Sequence, residues 1–322
     1  MDFILSIADE YLLDRVWARL VPVSAFVPTP EAYAGLNSTI VPSKWSQLVS
    51  HLPHPPLPEA NVYDAVSAWP RDYIPRQMLS LTALTLVGIH LLYFAFSWLS
   101  YTFIFDKRMM RHPKFLKDQV RLEIITSLKA FPVMMLLTLP WFQAEVMGYS
   151  RLYDDVSMYG WPYLIFSVAL SFRFLVFTDY CIYWIHRWLH IPWLYKRLHK
   201  PHHKWIVPTP WASFAFHPLD GYLQSIPYHL FVFIFPFHRF AYLGLFVVVN
   251  FWTILIHDSD MITGHPLENI INGPAHHTLH HVYFTVNYGQ YFTWSDRQGG
   301  SYMHPDHKFD PLLQVKDEKK VE

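Results

Sequence analysis

Five histidines fall within eighteen residues of this chain: His186-Arg-Trp-Leu-His190 and, after eight more residues, His199-Lys-Pro-His202-His203. Further on, His277-Thr-Leu-His280-His281 repeats the spacing of the second run. Side chains three and four apart share one face of a helix, so each run predicts a helical face bearing two or three imidazoles. Imidazole nitrogen is a borderline donor that suits zinc, copper, iron or nickel. Several such faces converging from different elements are what a polynuclear metal site needs. Eight imidazoles shared by two metals give about four each, which leaves positions for dioxygen and a bridging hydroxide. Zinc has no redox chemistry, and a structural zinc site closes with four ligands. Open positions beside an apolar interior suit oxidation of an inert C–H bond in a lipid, and so a di-iron oxygenase or desaturase.

The elements that must position these rings are written in a lipid-soluble composition. Hydrophobic residues make up 52% of the 322 and charged ones 16%, against about a quarter charged in an ordinary soluble domain. Net charge is zero, so nothing points to nucleic acid, and the lone Cys181 excludes a disulfide framework or a Cys-based zinc site. Fourteen of the twenty histidines lie between His186 and His281. Membrane spans are expected at Met78–Phe105, Ile124–Phe142 (kinked at Pro132) and Trp161–Ile185. Two shorter apolar runs, Tyr222–Phe237 and Phe240–Ile256, read as a helical hairpin that dips into or just crosses the bilayer. The fold class is therefore all-α: a polytopic bundle of about three spans plus a hairpin, capped by a histidine-rich metal-binding face. Four regions follow: an irregular lumenal arm over 1–77, a first span pair with its loops over 78–160, a catalytic domain over 161–300 and a tail over 301–322. Within the arm, residues 2–20 have the pattern of an amphipathic helix lying on a membrane face through Phe3, Ile4, Ile7, Tyr11, Trp17 and Leu20.

Positive charge orients the bundle. Lys107, Arg108, Arg111, Lys114, Lys117 and Arg121 mark the first interhelical loop as cytosolic, and the acid-rich loop 143–160 fits the lumen. All three histidine runs then meet at one cytosolic membrane face. The run of Lys196, Arg197, Lys200 and Lys204, without an acid between His186 and Lys204, agrees with that side and suits an acidic electron-transfer partner or anionic lipid headgroups. Lys319-Lys320 near the C-terminus matches a dilysine retrieval signal of endoplasmic-reticulum membrane proteins, and Asn37-Ser38-Thr39 is a glycosylation sequon on the lumenal arm.

Neutral imidazoles leave metal charge uncancelled, so carboxylates are expected behind them, accepting ring N–H bonds. Asp179, two turns before His186 on the same face, is the first candidate, since an acid inside a span is costly unless paired or functional; Asp220, Asp258 and Asp260 are weaker ones. His257, ending the last apolar run, is expected as a ninth ligand; His217, His265 and His276 are weighed as further ligands or hydrogen-bond partners, with the ordinary polar-residue reading preferred for each. Thr209, Trp211 and Tyr283 are expected to line a substrate channel.

The runs HRWLH, HKPHH and HTLHH resemble those of the fatty acid hydroxylase/sterol desaturase superfamily, over roughly residues 165–300. Three longer stretches are similar to sterol C-5 desaturases of the fungal ergosterol-pathway type. They are His199–Trp205 running on to Phe216-His-Pro-Leu-Asp-Gly221, then His257-Asp258, and finally Asn272–His281 with Tyr283-Phe284 and Asn287–Thr293. The resemblance implies an iron enzyme that takes two electrons from cytochrome b5, ultimately from NAD(P)H through a reductase, and reduces dioxygen while making the Δ5,7-diene from an episterol-like Δ7-sterol. It carries over His186, His190, His199, His202, His203, His277, His280 and His281 as the metal set. The chain departs from the family at Phe292-Thr-Trp-Ser-Asp-Arg297, where Phe-Thr-Leu-Trp-Asp-Arg is usual, and at Met303, where a basic residue is; both bear on substrate range or redox-partner docking. Alternatives that share the histidines are a sterol C4-methyl oxidase or a fatty acid hydroxylase. A membrane metal transporter is a different class, but it would place ligands midway along spans rather than past their ends, and a haem-binding protein would use only two of the histidines.

Overall fold

In a computed structural model of the chain, residues 1–25 and 66–315 are described; the sequon at Asn37 and the Lys319-Lys320 pair lie outside them. The apolar runs are helices, as expected, with ends shifted by at most five residues from the hydropathy windows. Helices α1 (Asp2–Ala8) and α2 (Asp14–Leu20) are joined by a π-helical turn, Asp9–Leu13. The long helices are α3 (Ile74–Phe103), α4 (Gln119–Val146) and α5 (Gly160–Leu189). A hairpin follows, α6 (Pro218–Ile234) and α7 (Arg239–Leu255), then α8 (Pro274–Tyr283) and α9 (Trp294–Gly299). Helix α4 runs unbroken past Pro132. The bend lies instead in α5, 43° between its halves Gly160–Phe166 and Ser171–Leu189.

Helices α3 and α4 are long and apolar enough to cross a membrane, and α5 is a third if its two halves count as one span. The hairpin helices have 17 residues each, about 26 Å at the α-helical rise, just short of the ~30 Å hydrocarbon core. The only described strands, β1 (Leu152–Tyr153) and β2 (Phe237–His238), form a two-residue parallel pair that ties the start of α5 to the hairpin turn. This is a predominantly helical membrane protein.

Of the described residues, those within 1–87 and 138–149 form one compact unit, and those within 88–137 and from 150 onward form another. In the first, the buried stripe of the N-terminal helix is Leu5, Asp9, Leu13 and Trp17, a four-residue repeat that the π turn keeps in line. Of the residues expected to lie on a membrane face, Ile4 and Leu20 are exposed and Trp17 is buried. The stripe packs on Leu81, Leu139 and Phe142. Its one acid, Asp9, is accommodated by Arg76 at 2.8 Å, which also meets Asp14 at 2.5 Å.

In the second unit, α5 and the hairpin share an aromatic core around Phe174, Phe231, Phe237 and Tyr242. The stretch between the second histidine run and α6 is irregular yet buried, from Val207 to Ala215. Its carbonyls would be costly in an apolar surround unless bonded, and α3 and α4 supply the donors. Tyr93 and Ser127 donate to Trp211 O at 2.8 and 3.3 Å, Ser97 to Pro210 O at 3.3 Å, and Gln119 to Val207 O at 2.8 Å. Gly221, in the first turn of α6, faces the Phe216 ring so closely that an added Cβ would overlap it and lie 2.9 Å from Met134 Cε. Gly221→Ala is therefore expected to cost about 1–3 kcal/mol of stability, the usual range for overpacking, read as a lower melting temperature of the purified protein.

Candidate metal centre

Every histidine run is delivered by a different local structure. His186 lies in the last turn of α5, and His190 is its C-cap. His199 closes a π-helical segment, Tyr195–His199, and His202 N and His203 N both bond back to His199 O. This second run is one continued turn and not the regular helix its spacing predicts. His257 follows the end of α7, and His277, His280 and His281 lie on α8.

The rings assemble as two groups: His186, His190, His199, His203 and His280 in one, His202, His257, His277 and His281 in the other, with each group's ring nitrogens all within 4.8 Å of one another. The runs interlock. In each HxxHH run the first and last rings join one group and the middle ring joins the other. Geometry explains it, because successive residues turn by about 100°, so i and i+4 align while i+3 points roughly 100° away from i+4.

Within the five-ring group, Nε2 of His186 is 3.1 Å from Nε2 of His199, and Nε2 of His203 is 3.1 Å from that of His199 and 3.2 Å from that of His190. In the four-ring group, Nε2 of His257 is 3.3 Å from that of His202 and 3.1 Å from that of His277, which is 3.1 Å from that of His281. Opposite nitrogens reveal the tautomers. Nδ1 of His186 faces Tyr288 O at 2.9 Å, Nδ1 of His280 faces Val286 O at 2.7 Å, Nδ1 of His257 faces Thr253 O at 2.6 Å and Nδ1 of His281 faces Trp205 O at 2.9 Å. Nδ1 of His199 is 2.7 Å from Asp220 Oδ2. A nitrogen facing a carbonyl or carboxylate carries the proton, so these five rings turn Nε2 lone pairs inward. His186 and His199 thus oppose two lone pairs at 3.1 Å, with no proton between them to share.

Lone pairs at that separation repel unless a cation lies between them. Metal–nitrogen bonds of about 2.0–2.1 Å at tetrahedral to octahedral angles put donor nitrogens about 2.8–3.4 Å apart, which covers every contact above. Protons do not fit as well. Burial first, then the neighbouring imidazoles, hold His202, His203, His277, His280 and His281 well below the ordinary histidine range. Burial, opposed by the bond to Thr253, brings His257 down to about 4. A donor set of neutral, converging, desolvated imidazoles suits one metal per group.

The carboxylate behind these rings is not the one expected first. Asp179 does not touch an imidazole; its Oδ1 accepts the backbone N–H groups of Gln290, Tyr291 and Phe292 at 3.0, 2.6 and 3.1 Å. Asp296, missed in the sequence, accepts those of Tyr288 and Gly289, each at 2.8 Å. The two acids clamp the segment whose Tyr288 carbonyl orients His186. The acid on a ring is Asp220, fully buried and also bonded to Gln224 at 2.7 Å. Asp258 and Asp260 bond only nearby backbone N–H groups.

The remaining candidates lie elsewhere. His217 and His265 cap their own turns, accepting from Leu219 N and Leu267 N at 3.2 Å, and His276 packs on Tyr302; none of the three joins either group. Thr209 binds Glu123, a buried acid of α4 that composition gave no reason to single out, and accepts from Trp211 N at 3.3 Å. Trp211 is buried against Tyr93, so both belong to the clamped loop and not to an open channel. Tyr283, 41% exposed, packs on Phe309.

The fatty acid hydroxylase family pattern matches residues 171–301, the stretch that carries all nine rings. A Δ(7)-sterol 5(6)-desaturase of Aspergillus fumigatus is 55% identical over 79% of this chain and 85% of its own length. Another, from Gibberella zeae, is 48% identical over 97% and 92%, and a lathosterol oxidase of Mus musculus is 53% identical over 76% and 81%. No solved structure matches.

Proposed function

This chain belongs to the Δ(7)-sterol 5(6)-desaturase family, and we propose that it introduces the C5–C6 double bond into a Δ7-sterol at a di-iron centre held by its nine clustered histidines. The observation that carries this reading is the convergence of the Nε2 nitrogens, 3.1–3.3 Å apart within each group. His186, His190, His199, His203 and His280 would hold one iron, and His202, His257, His277 and His281 the other. When bound, the pair supplies the redox chemistry that reduces dioxygen to water.

The chain's own residues prepare that site. Carbonyls of Thr253, Val286, Tyr288 and Trp205, with the carboxylate of Asp220, keep the proton of five of the nine rings on Nδ1 and so leave their Nε2 free to bind metal. Phe216 lies 5.9 Å from His202 and Phe284 4.9 Å from His203, so apolar rings border both groups and exclude water. The sterol arrives from the bilayer. Two electrons come from cytochrome b5 and its reductase, drawing on NAD(P)H. The site faces the cytosol in the endoplasmic-reticulum membrane, and the Lys/Arg bias of loop 106–121 supports the cytosolic side.

The test is conversion of a defined Δ7-sterol by microsomes carrying the chain, with and without oxygen and reductant. Formation of the Δ5,7-diene only with both supports the assignment. Oxidation of a 4-methyl group, or hydroxylation of a fatty acid, would replace it with a sibling activity. Purified protein should hold about two irons per chain and show no Soret band.

Acid gives a further expected outcome. The unfolded chain takes up protons on histidine near pH ~6.5, whereas the folded rings resist them. Because the folded-state values are depressed, stability is fully present above that pH and declines as pH falls through it. Metal retention declines in the same direction, since ligand rings must be deprotonated. Iron is expected to leave between about pH 6 and 5, followed by metal analysis after desalting at each pH; full retention across that range would argue against imidazole ligation.

A further inference from the structure

The desaturase reading leaves a requirement to be met. A CH–CH unit, dioxygen, two electrons and two protons give C=C and two waters, so the substrate supplies half the reducing equivalents and an outside donor supplies the other two electrons. Those electrons must reach rings that are otherwise sealed. Of the nine imidazoles only that of His190 is not fully buried. Its ring is 5.5 Å from that of half-buried Tyr195, tilted by 32°. Tyr195 is also 5.9 Å from His203 and 6.4 Å from His199. One aromatic side chain therefore stands between solvent and three members of the five-ring group. The same π-helical segment exposes Lys196 and Arg197, and Lys200 and Lys204 are exposed just beyond. No described carboxylate pairs with any of the four, and the stretch 186–204 contains no acid.

We propose that Tyr195 and the rim of Lys196, Arg197, Lys200 and Lys204 form the docking face of an acidic one-electron carrier protein, with Tyr195 as the aromatic step into the five-imidazole group. The proposal rests on the desaturase reading for its electron requirement. Opposite charge across such a face steers encounter and raises the association rate. Anionic lipid is the competing occupant, since Arg197 stacks on the exposed Trp193 at 4.2 Å, as an interfacial anchor would. Lipid has no use for a ring path to the imidazoles, and that path is the reason for choosing the carrier.

The experiment is stopped-flow reduction of full-length ferric protein in phosphatidylcholine nanodiscs. The reductants are the soluble haem domain of a microsomal b-type cytochrome and, separately, dithionite. Lys196→Glu/Lys200→Glu is expected to lower the carrier's second-order rate by about tenfold or more at low salt and to flatten its salt dependence, with the dithionite rate unchanged. Tyr195→Leu is expected to lower the rate at saturating carrier while leaving the salt dependence intact. A wild-type carrier rate in the double variant overturns the proposal, as does a deficit seen only when the discs contain phosphatidylserine, which would assign the face to lipid. Carrier reduction that keeps these dependences in a protein unable to dehydrogenate a Δ7-sterol would support the docking face and overturn the sterol reading.

Discussion

His202→Ala abolishes desaturation, by well over the ~100-fold that loss of a mere ligand-orienting contact costs, while protein level and membrane location stay near those of the wild type. His202 is the ring to choose because its removal separates ligation from folding. Its Nε2 faces that of His257 at 3.3 Å, but its Nδ1 has no hydrogen-bond partner. Truncation therefore strands no buried donor or acceptor on another residue, and the lost packing is one modest ring beside Phe216. His199→Ala would be a poorer test, since it leaves the Asp220 carboxylate buried without its partner, a change that destabilises by itself. With His202 gone, three imidazoles remain in its group, and metal analysis should find about one iron per chain retained. The checks are the sterol profile, an immunoblot of membranes and iron content. Substantial Δ5,7-diene from this variant would show that the four-ring group does not hold a metal needed for turnover.

The two groups were legible in the sequence as chemistry but not as an arrangement. Spacing of four aligns His186 with His190, and spacing of three and four puts His199, His202 and His203 within one turn. What spacing cannot say is that the middle ring of each HxxHH run crosses to the other group. That depends on where α5, α7 and α8 lie around the run, which is set by packing between residues far apart in the chain. Asp179 shows the same limit. It sits two turns before His186, as expected, yet the segment 288–292 packs over it and takes its carboxylate for three backbone N–H groups. Thr209 and Trp211 were expected to line a substrate channel. They are held instead by the Glu123 carboxylate and the Tyr93 and Ser127 hydroxyls of α3 and α4, a pairing across a long sequence separation that no local pattern announces. Apolar helices, by contrast, were readable to within a few residues, because a run of apolar residues long enough to span a bilayer marks their extent.

Asp220→Asn is expected to weaken metal binding about 10–100-fold, the usual effect of removing a carboxylate behind a ligand histidine, without unfolding the protein. Asp220 is the only described carboxylate on any of the nine rings, 2.7 Å from His199 Nδ1. Its other oxygen takes the Gln224 amide at 2.7 Å. A carboxylate that is fully buried and bonded only to neutral groups is costly to hold there. That cost is offset when a cation sits on the far side of the imidazole, because the ring transmits the charge as a stronger Nε2 donor. Asparagine keeps an oxygen for the Nδ1–H bond and removes the charge, so the two states of the protein respond in opposite directions. The metal-free variant should melt at the same temperature as metal-free wild type or higher, while the loaded variant loses iron to a chelator sooner. Calorimetry or thermal scanning on both forms, with chelator competition followed by metal analysis, reads the two effects separately. A residue serving only to pack α6 against the π-helical segment would lower both melting temperatures together. That result, with iron retention unchanged, would remove Asp220 from the site. The opposite signs are the signature of a carboxylate retained for the cation it faces, at the expense of the fold that carries it.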